Sequence, residues 1–108
     1  MNRSTLTAGT TIVQSPEPVA VEVERSIVMM SIEREKYYGL EGAGGRIWKL
    51  LEQPRTVADL CAALVREFDV DAERCRRDVI EFLTQLLAEG LIEVRGEAPA
   101  PVRSTAAP

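Results

Sequence analysis

Histidine is absent from this 108-residue chain. That removes the side chain most often used as a general base near neutral pH, and the commonest metal ligand. Cysteine is scarce, with only Cys61 and Cys75 present. Their spacing fits neither a Cys-x-x-Cys redox pair nor a tetrahedral zinc set. Both fall on or near apolar stripes, so two small buried thiols are expected. Aromatic residues make up 5% of the chain, which leaves few rings to serve both a core and a binding surface. No apolar run approaches the roughly 20 residues of a membrane span. Residues 1–11 are polar and lack the apolar segment of a secretory signal. A cytoplasmic protein without membrane contact is therefore expected. A phosphate-cradling loop is missing too. Gly42-Ala43-Gly44-Gly45 has Ile47 where the dinucleotide fingerprint needs a third glycine, and no Gly-Lys-Ser/Thr occurs. Basic charge is not in excess: 13 basic against 17 acidic residues give a net charge of −4. A domain that grips nucleic acid usually has the opposite balance.

What is present is an ordinary apolar fraction, 45% of residues, enough for one modest core. Residues 1–17, rich in Ser, Thr and Gly, are expected to be a flexible N-terminal segment. Residues 96–108 form an Ala/Pro-rich stretch that cannot offset its ordering entropy and is expected to be disordered. The folded domain is then residues 18–95. Within it, residues 19–24 alternate branched apolar with polar side chains, the pattern of a half-buried strand. Residues 27–32 are apolar on both faces and read as a second strand. Residues 36–40 follow as a third after a turn at Arg34 and Glu35.

From Gly42 the hydrophobic period changes from 2 to 3.6. Ile47, Trp48, Leu50 and Leu51 mark a first helix that ends before Pro54. Thr56 and Asp59 have the form of a capping box opening a second helix. Asp71 can cap a third, with Cys75, Val79, Phe82, Leu83 and Leu86 along its stripe. Gly90 suits the left-handed residue that ends a helix. Residues 91–94 return as a short extended wing. The fold class is α+β, similar to a winged helix: a three-stranded antiparallel N-terminal sheet, three helices and a short C-terminal wing.

Two segments could bind something. Arg74, Arg76 and Arg77 cluster at the start of the third helix, which in a winged-helix regulator would enter the DNA major groove. Asp71, Glu73, Asp78 and Glu81 are interleaved with them and would repel phosphate. Glu33 and Glu35 share one side of a hairpin but lack the desolvated partner that a catalytic carboxylate pair needs. The segment Lys36-Tyr37-Tyr38-Gly39-Leu40 reads as an edge strand. Such an edge offers unpaired N–H and C=O groups to another chain.

The order and spacing of several motifs resemble the PqqD-like family of RiPP recognition elements. They are Lys36-Tyr37-Tyr38-Gly39-Leu40, then Gly44-x-Arg46-Ile47-Trp48-x-Leu50-Leu51, then Thr56-Val57-x-x-Leu60. The run Asp78-Val79-x-x-Phe82-Leu83-x-x-Leu86-x-x-x-Gly90-Leu91-Ile92 completes the set. The likeness covers about residues 19–94. It is nearest to the stand-alone leader-binding proteins of lasso-peptide clusters and weaker to the chaperone of pyrroloquinoline quinone synthesis. The sequence departs from the family at Glu41, where relatives often carry Asn or Asp, and at Gly45, where Ala is common.

The resemblance implies a non-catalytic protein that needs no cofactor or metal. It implies that the leader of a ribosomally made precursor adds as a strand beside Lys36, Tyr37, Tyr38, Gly39 and Leu40. Arg74, Cys75, Asp78, Val79 and Phe82 would line the helical side of the groove. The leader would pass to a cysteine-protease-like leader peptidase and an ATP-dependent macrocyclase. Two other readings stand beside this one: a peptide chaperone for a radical-SAM enzyme, and a winged-helix DNA-binding regulator. With no peptide present, the edge strand would be open to pairing with a second copy as a homodimer.

Overall fold

The computed structural model describes residues 6–97. The elements are β1 (Thr10–Gln14), β2 (Val19–Val23), β3 (Ser26–Ser31), β4 (Lys36–Glu41), α1 (Gly42–Leu50), β5 (Arg55–Thr56), α2 (Val57–Phe68), α3 (Ala72–Ala88) and β6 (Ile92–Glu97). They form two three-stranded sheets, ordered β2-β3-β4 and β5-β1-β6. Both sheets are antiparallel throughout.

The first sheet is a meander, as its alternating residues imply. β2 and β3 pair from Val19–Met30 to Val23–Ser26, joined by a two-residue turn in which Glu24 takes a φ of 59°. β3 and β4 pair from Ser26–Glu41 to Ser31–Lys36. Ile27, Met29, Ser31 and Leu40 turn inward and are buried. Glu17 staples the β3–β4 turn: its carboxylate accepts from Ser31 Oγ at 2.9 Å and from the N–H groups of Ile32 and Glu33 at 2.7 and 3.1 Å.

The helices start and stop where their capping residues dictate. Thr56 Oγ1 accepts from the Asp59 N–H at 3.0 Å, and Asp59 Oδ2 accepts from the Thr56 N–H at 3.3 Å, a complete capping box. Asp71 Oδ2 accepts from the Arg74 N–H at 2.9 Å. At the far end of α3, Gly90 adopts a φ of 75°, and Leu91 N–H reaches Leu86 O while Gly90 N–H reaches Leu87 O, both at 3.0 Å. Those two bonds close a Schellman motif. α1 has no such cap: Glu41 stands at its N-cap position without a side-chain bond. A Cβ at Gly45 would meet Ile27 and the Leu40 carbonyl at 3.5 Å, so the helix packs close against the sheet there.

The N-terminal segment departs from expectation. Residues 10–14 lie inside the expected flexible segment 1–17, yet they form the central strand of the second sheet. Ile12 is fully buried, and Leu6, Thr10 and Val13 are nearly so. The physical reason is non-local. β1 has five residues, too few to show a period, and its partner β6 comes some eighty residues later. The expected wing is that partner, pairing from Gln14–Ile92 to Thr10–Glu97 with a register shift at Thr11/Ile12. The folded unit therefore begins by residue 6 rather than 18 and runs to 97 rather than 95. From residue 98 on, the expected disordered tail lies outside the described residues.

Ile12, Met29, Leu51, Leu60, Leu83 and Leu91 are completely buried at the centre, with Trp48 among them. Among the described residues, no helix is long and apolar enough to cross a membrane. Replacing Ile12 with Ala should lower stability by about 2–5 kcal/mol, the range for truncating a buried aliphatic side chain. Urea unfolding measures this, and a loss below about 0.5 kcal/mol would mean that β1 does not pack in the core.

Candidate functional site: the groove between β4 and α3

Among the described residues, β4 is an edge strand, paired only with β3. Backbone groups along an antiparallel pair alternate between facing the partner and facing away. The two-residue turn closes on a hydrogen-bonded pair, Val23–Ser26. In β3, Ser26, Val28 and Met30 therefore address β2, and Ile27, Met29 and Ser31 address β4. Their partners Leu40, Tyr38 and Lys36 point their backbone groups back at β3. The free edge is left to Tyr37, Gly39 and Glu41. Side chains alternate independently: Tyr37 projects from the outer face, 74% exposed, and Tyr38 lies half-buried on the inner one.

Beside the last part of this edge lies a groove of about 870 Å³. Its floor is apolar, built from Ile47 of α1, Leu64 and Phe68 of α2, and Cys75, Val79 and Phe82 of α3. Gly39, Leu40, Glu41, Ala43 and Gly44 form the β4–α1 wall. The α2–α3 link adds Asp69, Val70 and Asp71, and Arg74 and Asp78 complete the lip. Phe68 and Val70 are unusually exposed for their type. Phe82 rests on α1: a Cβ at Gly44 would lie 3.2 Å from the end of its ring. The ring is half-buried, both groove wall and core packing.

Of the residues singled out by sequence, Gly39, Leu40, Arg74, Cys75, Asp78, Val79 and Phe82 surround this one groove. Lys36, Tyr37 and Tyr38 lie further along the strand, outside it. The Tyr38 hydroxyl donates to Glu89 Oε1 at 2.7 Å, and Lys36 Nζ stands 3.7 Å from the same oxygen. These contacts tie β4 to the end of α3. Sequence reading missed Phe68 and Val70. Their signal was present: a bulky apolar residue ends the α2 stripe, and another sits in an otherwise acidic link.

Charge and reactivity are arranged simply. Arg74 faces Asp78 at 3.8 Å, whereas Arg76 and Arg77 line a separate depression with Glu73 and Ile80. The arginine cluster of the sequence is thus split between two surfaces, and the groove keeps an acidic lip. Burial pushes the Cys61 thiol up to about 11 and raises that of Cys75 as well. Neither is a thiolate nucleophile near neutral pH. Among the described residues, no group of three or more His, Cys, Asp or Glu could hold a metal ion.

The profile of the family described as coenzyme PQQ synthesis protein D (PqqD) matches residues 26–92. The chain belongs to the PqqD family. A solved structure of TbiB1 in complex with the TbiA(beta) leader peptide is 29% identical, with a TM-score of 0.70 over 80% of this chain and 98% of that one. A lasso peptide synthetase B1 complexed with its leader peptide is 21% identical, with a TM-score of 0.68 over 76% of this chain and 96% of its own. The PqqD truncation of Methylobacterium extorquens PqqCD, a stand-alone RiPP recognition element, is 17% identical at a TM-score of 0.68, over 83% of this chain and 97% of its own. These last two establish the shared fold. No curated protein matches significantly in sequence.

Two outcomes follow, one for the far end of β4 and one for the groove wall. The Tyr38 hydrogen bond, aided by Lys36 and Arg34, holds the Glu89 carboxyl below the usual carboxylate range. A depressed carboxylate stabilises the fold above its unfolded pKa, and that contribution is lost as pH falls through the folded value. Tyr38→Phe should therefore lower the melting temperature at neutral pH, and the gap to wild type should narrow as pH falls below the usual carboxylate range. A gap independent of pH would show that the hydroxyl does not act through Glu89. Gly44→Ala gains up to about 1 kcal/mol of helix propensity but drives the Phe82 ring toward the groove. It should weaken peptide binding while leaving the melting temperature within a few degrees of wild type.

Proposed function

We propose that this protein binds the leader of a ribosomally synthesised precursor peptide, which adds as a fourth strand along β4 with alternate side chains seated against α3. The observation that carries this reading is a free backbone edge at Tyr37, Gly39 and Glu41, running into an apolar groove floored by Val79 and Phe82. Edge pairing supplies affinity from backbone bonds, and the groove supplies selectivity. The TbiB1 leader complex, 29% identical and nearly completely covered, supports the same occupant. In this reading Lys36 to Leu40 give the strand, and Arg74, Cys75, Asp78, Val79 and Phe82 give the helical wall. The protein is non-catalytic. It delivers the precursor to a leader peptidase and a macrocyclase in lasso-peptide biosynthesis. The match to the PqqD profile favours, as a second reading, a peptide chaperone for a radical-SAM enzyme. The genes beside this one separate the two.

The test is fluorescence polarisation with the leader encoded beside the gene. Affinity in the nanomolar to micromolar range is expected, and no binding at tens of micromolar overturns the assignment. Tyr37→Pro deletes an outward N–H without touching the β3 ladder, since proline is tolerated on edge strands. It should weaken binding about 5- to 50-fold, the worth of one backbone bond and the carbonyl it strands. Tyr38→Pro would instead break the ladder to β3 and unfold the hairpin. Phe82→Ala should weaken binding by about 1–3 kcal/mol, with a stability loss smaller than that of Ile12→Ala. Unchanged affinity in both Tyr37→Pro and Phe82→Ala would place the peptide elsewhere.

A further inference from the structure

The opposite edge of the same sheet carries a second feature. All five residues of β2 are exposed, and Val19, Val21 and Val23 are each more than half exposed. With Val28, Ile32 and Tyr37 they make one apolar outer face. Edge strands are ordinarily guarded by lysine, proline, a bulge or a covering element. β2 has no lysine, proline or bulge: its sequence is Val-Ala-Val-Glu-Val, its register to β3 is unbroken, and the charge of Glu22, on the inner face, is matched by Lys49. We propose that β2 is a homodimerisation strand, which pairs antiparallel with β2 of a second copy about a two-fold axis at Val21.

The register follows from backbone parity. Val19, Val21 and Val23 address β3, so Ala20 and Glu22 present their N–H and C=O groups to the free edge. A two-fold axis at Val21 sets Ala20 of each copy opposite Glu22 of the other, and all four outward residues become hydrogen-bonded pairs. The same register sets Val19 opposite Val23 and Val21 opposite its own copy, joining two valine rows into one apolar stripe. Neither Glu22 faces its twin, and each keeps its ion pair with Lys49 at 3.2 Å. The occupant that satisfies all of these positions is a second copy of this chain. A five-residue pairing covers far less than the about 800 Å² per partner of a standard stable interface. The dimer is accordingly reversible and concentration-dependent. It leaves both β4 edges free for peptide.

Sedimentation equilibrium from about 10 µM to about 1 mM should show a mass rising from one chain toward two, as expected of a weak interface. Ala20→Pro removes an edge N–H that the monomer does not use, and Val21→Lys sets like charges face to face on the axis. Each should weaken association at least about tenfold while keeping leader affinity within about twofold. Register is read by cysteine scanning under mild oxidation, with wild type as the blank for Cys61. Val21→Cys should cross-link with itself. Val19→Cys and Val23→Cys should cross-link when mixed but not alone. A monomer at every concentration overturns the proposal. So does a dimer indifferent to Ala20→Pro and Val21→Lys, or one that saturating leader dissolves, since that places the interface on β4 or the outer face. Leader binding is measured separately, so failure here leaves the peptide reading intact.

Discussion

The backbone of β3 governs what the rest of the molecule can do. It is flanked on both sides, so its N–H and C=O groups are committed alternately to β2 and β4. That alternation decides which groups the outer strands have left. Tyr37, Gly39 and Glu41 are free on one edge, Ala20 and Glu22 on the other. The side chains of β3 follow a separate alternation, with Ile27 and Met29 buried in the core, Ile27 close to Gly45 of α1. Because one register serves both purposes, a one-residue slip would turn Met29 outward and exchange every free edge group. The core thus holds the free edge of β4 in place through the inward side chain of Leu40.

The second sheet supports the first indirectly. β1 is held between β5 and β6, and Ile12 packs in the same core as Leu60 and Leu83. Gln14 joins it to α1: its side-chain amide donates to the Trp48 carbonyl at 2.7 Å, and its backbone N–H donates to the Leu51 carbonyl at 2.9 Å. α1 in turn carries Gly44 under the Phe82 ring. Groove width therefore depends on a chain of contacts that starts at the N-terminal strand. The absence of a cap at Glu41 is tolerated because close packing at Gly45, the Glu22–Lys49 pair and the Arg46–Glu67 pair position α1.

Legibility in the sequence tracked the range of the interactions. The meander, the capping box at Thr56 and Asp59, the Asp71 cap and the Gly90 stop were readable because each rests on residues within a few positions. The groove was readable in part. Cys75, Val79 and Phe82 share a helical face, and Lys36 to Leu40 alternate as a strand. Phe68 and Val70 escaped because they flank Asp69, whose left-handed conformation, φ 54°, sets the direction in which the chain leaves α2. β1 escaped because its partner strand lies at the other end of the domain.

By itself, the sequence determined the types and order of the longer elements from residue 19 onward, and the lack of histidine and of a phosphate-binding loop; the two-residue β5 was not among them. Periodicity and capping are local, so these survive without knowledge of the fold. Tertiary structure decided everything that depends on two distant segments meeting. It made β1 a core strand, separated Arg74 from Arg76 and Arg77, sent Tyr38 to Glu89, and left the outward hydrogen bonds of β4 to Tyr37, Gly39 and Glu41. The last of these follows from a turn two strands away. Hydrogen-bond parity propagates across a sheet from the point where a hairpin closes, and no residue in β4 encodes it.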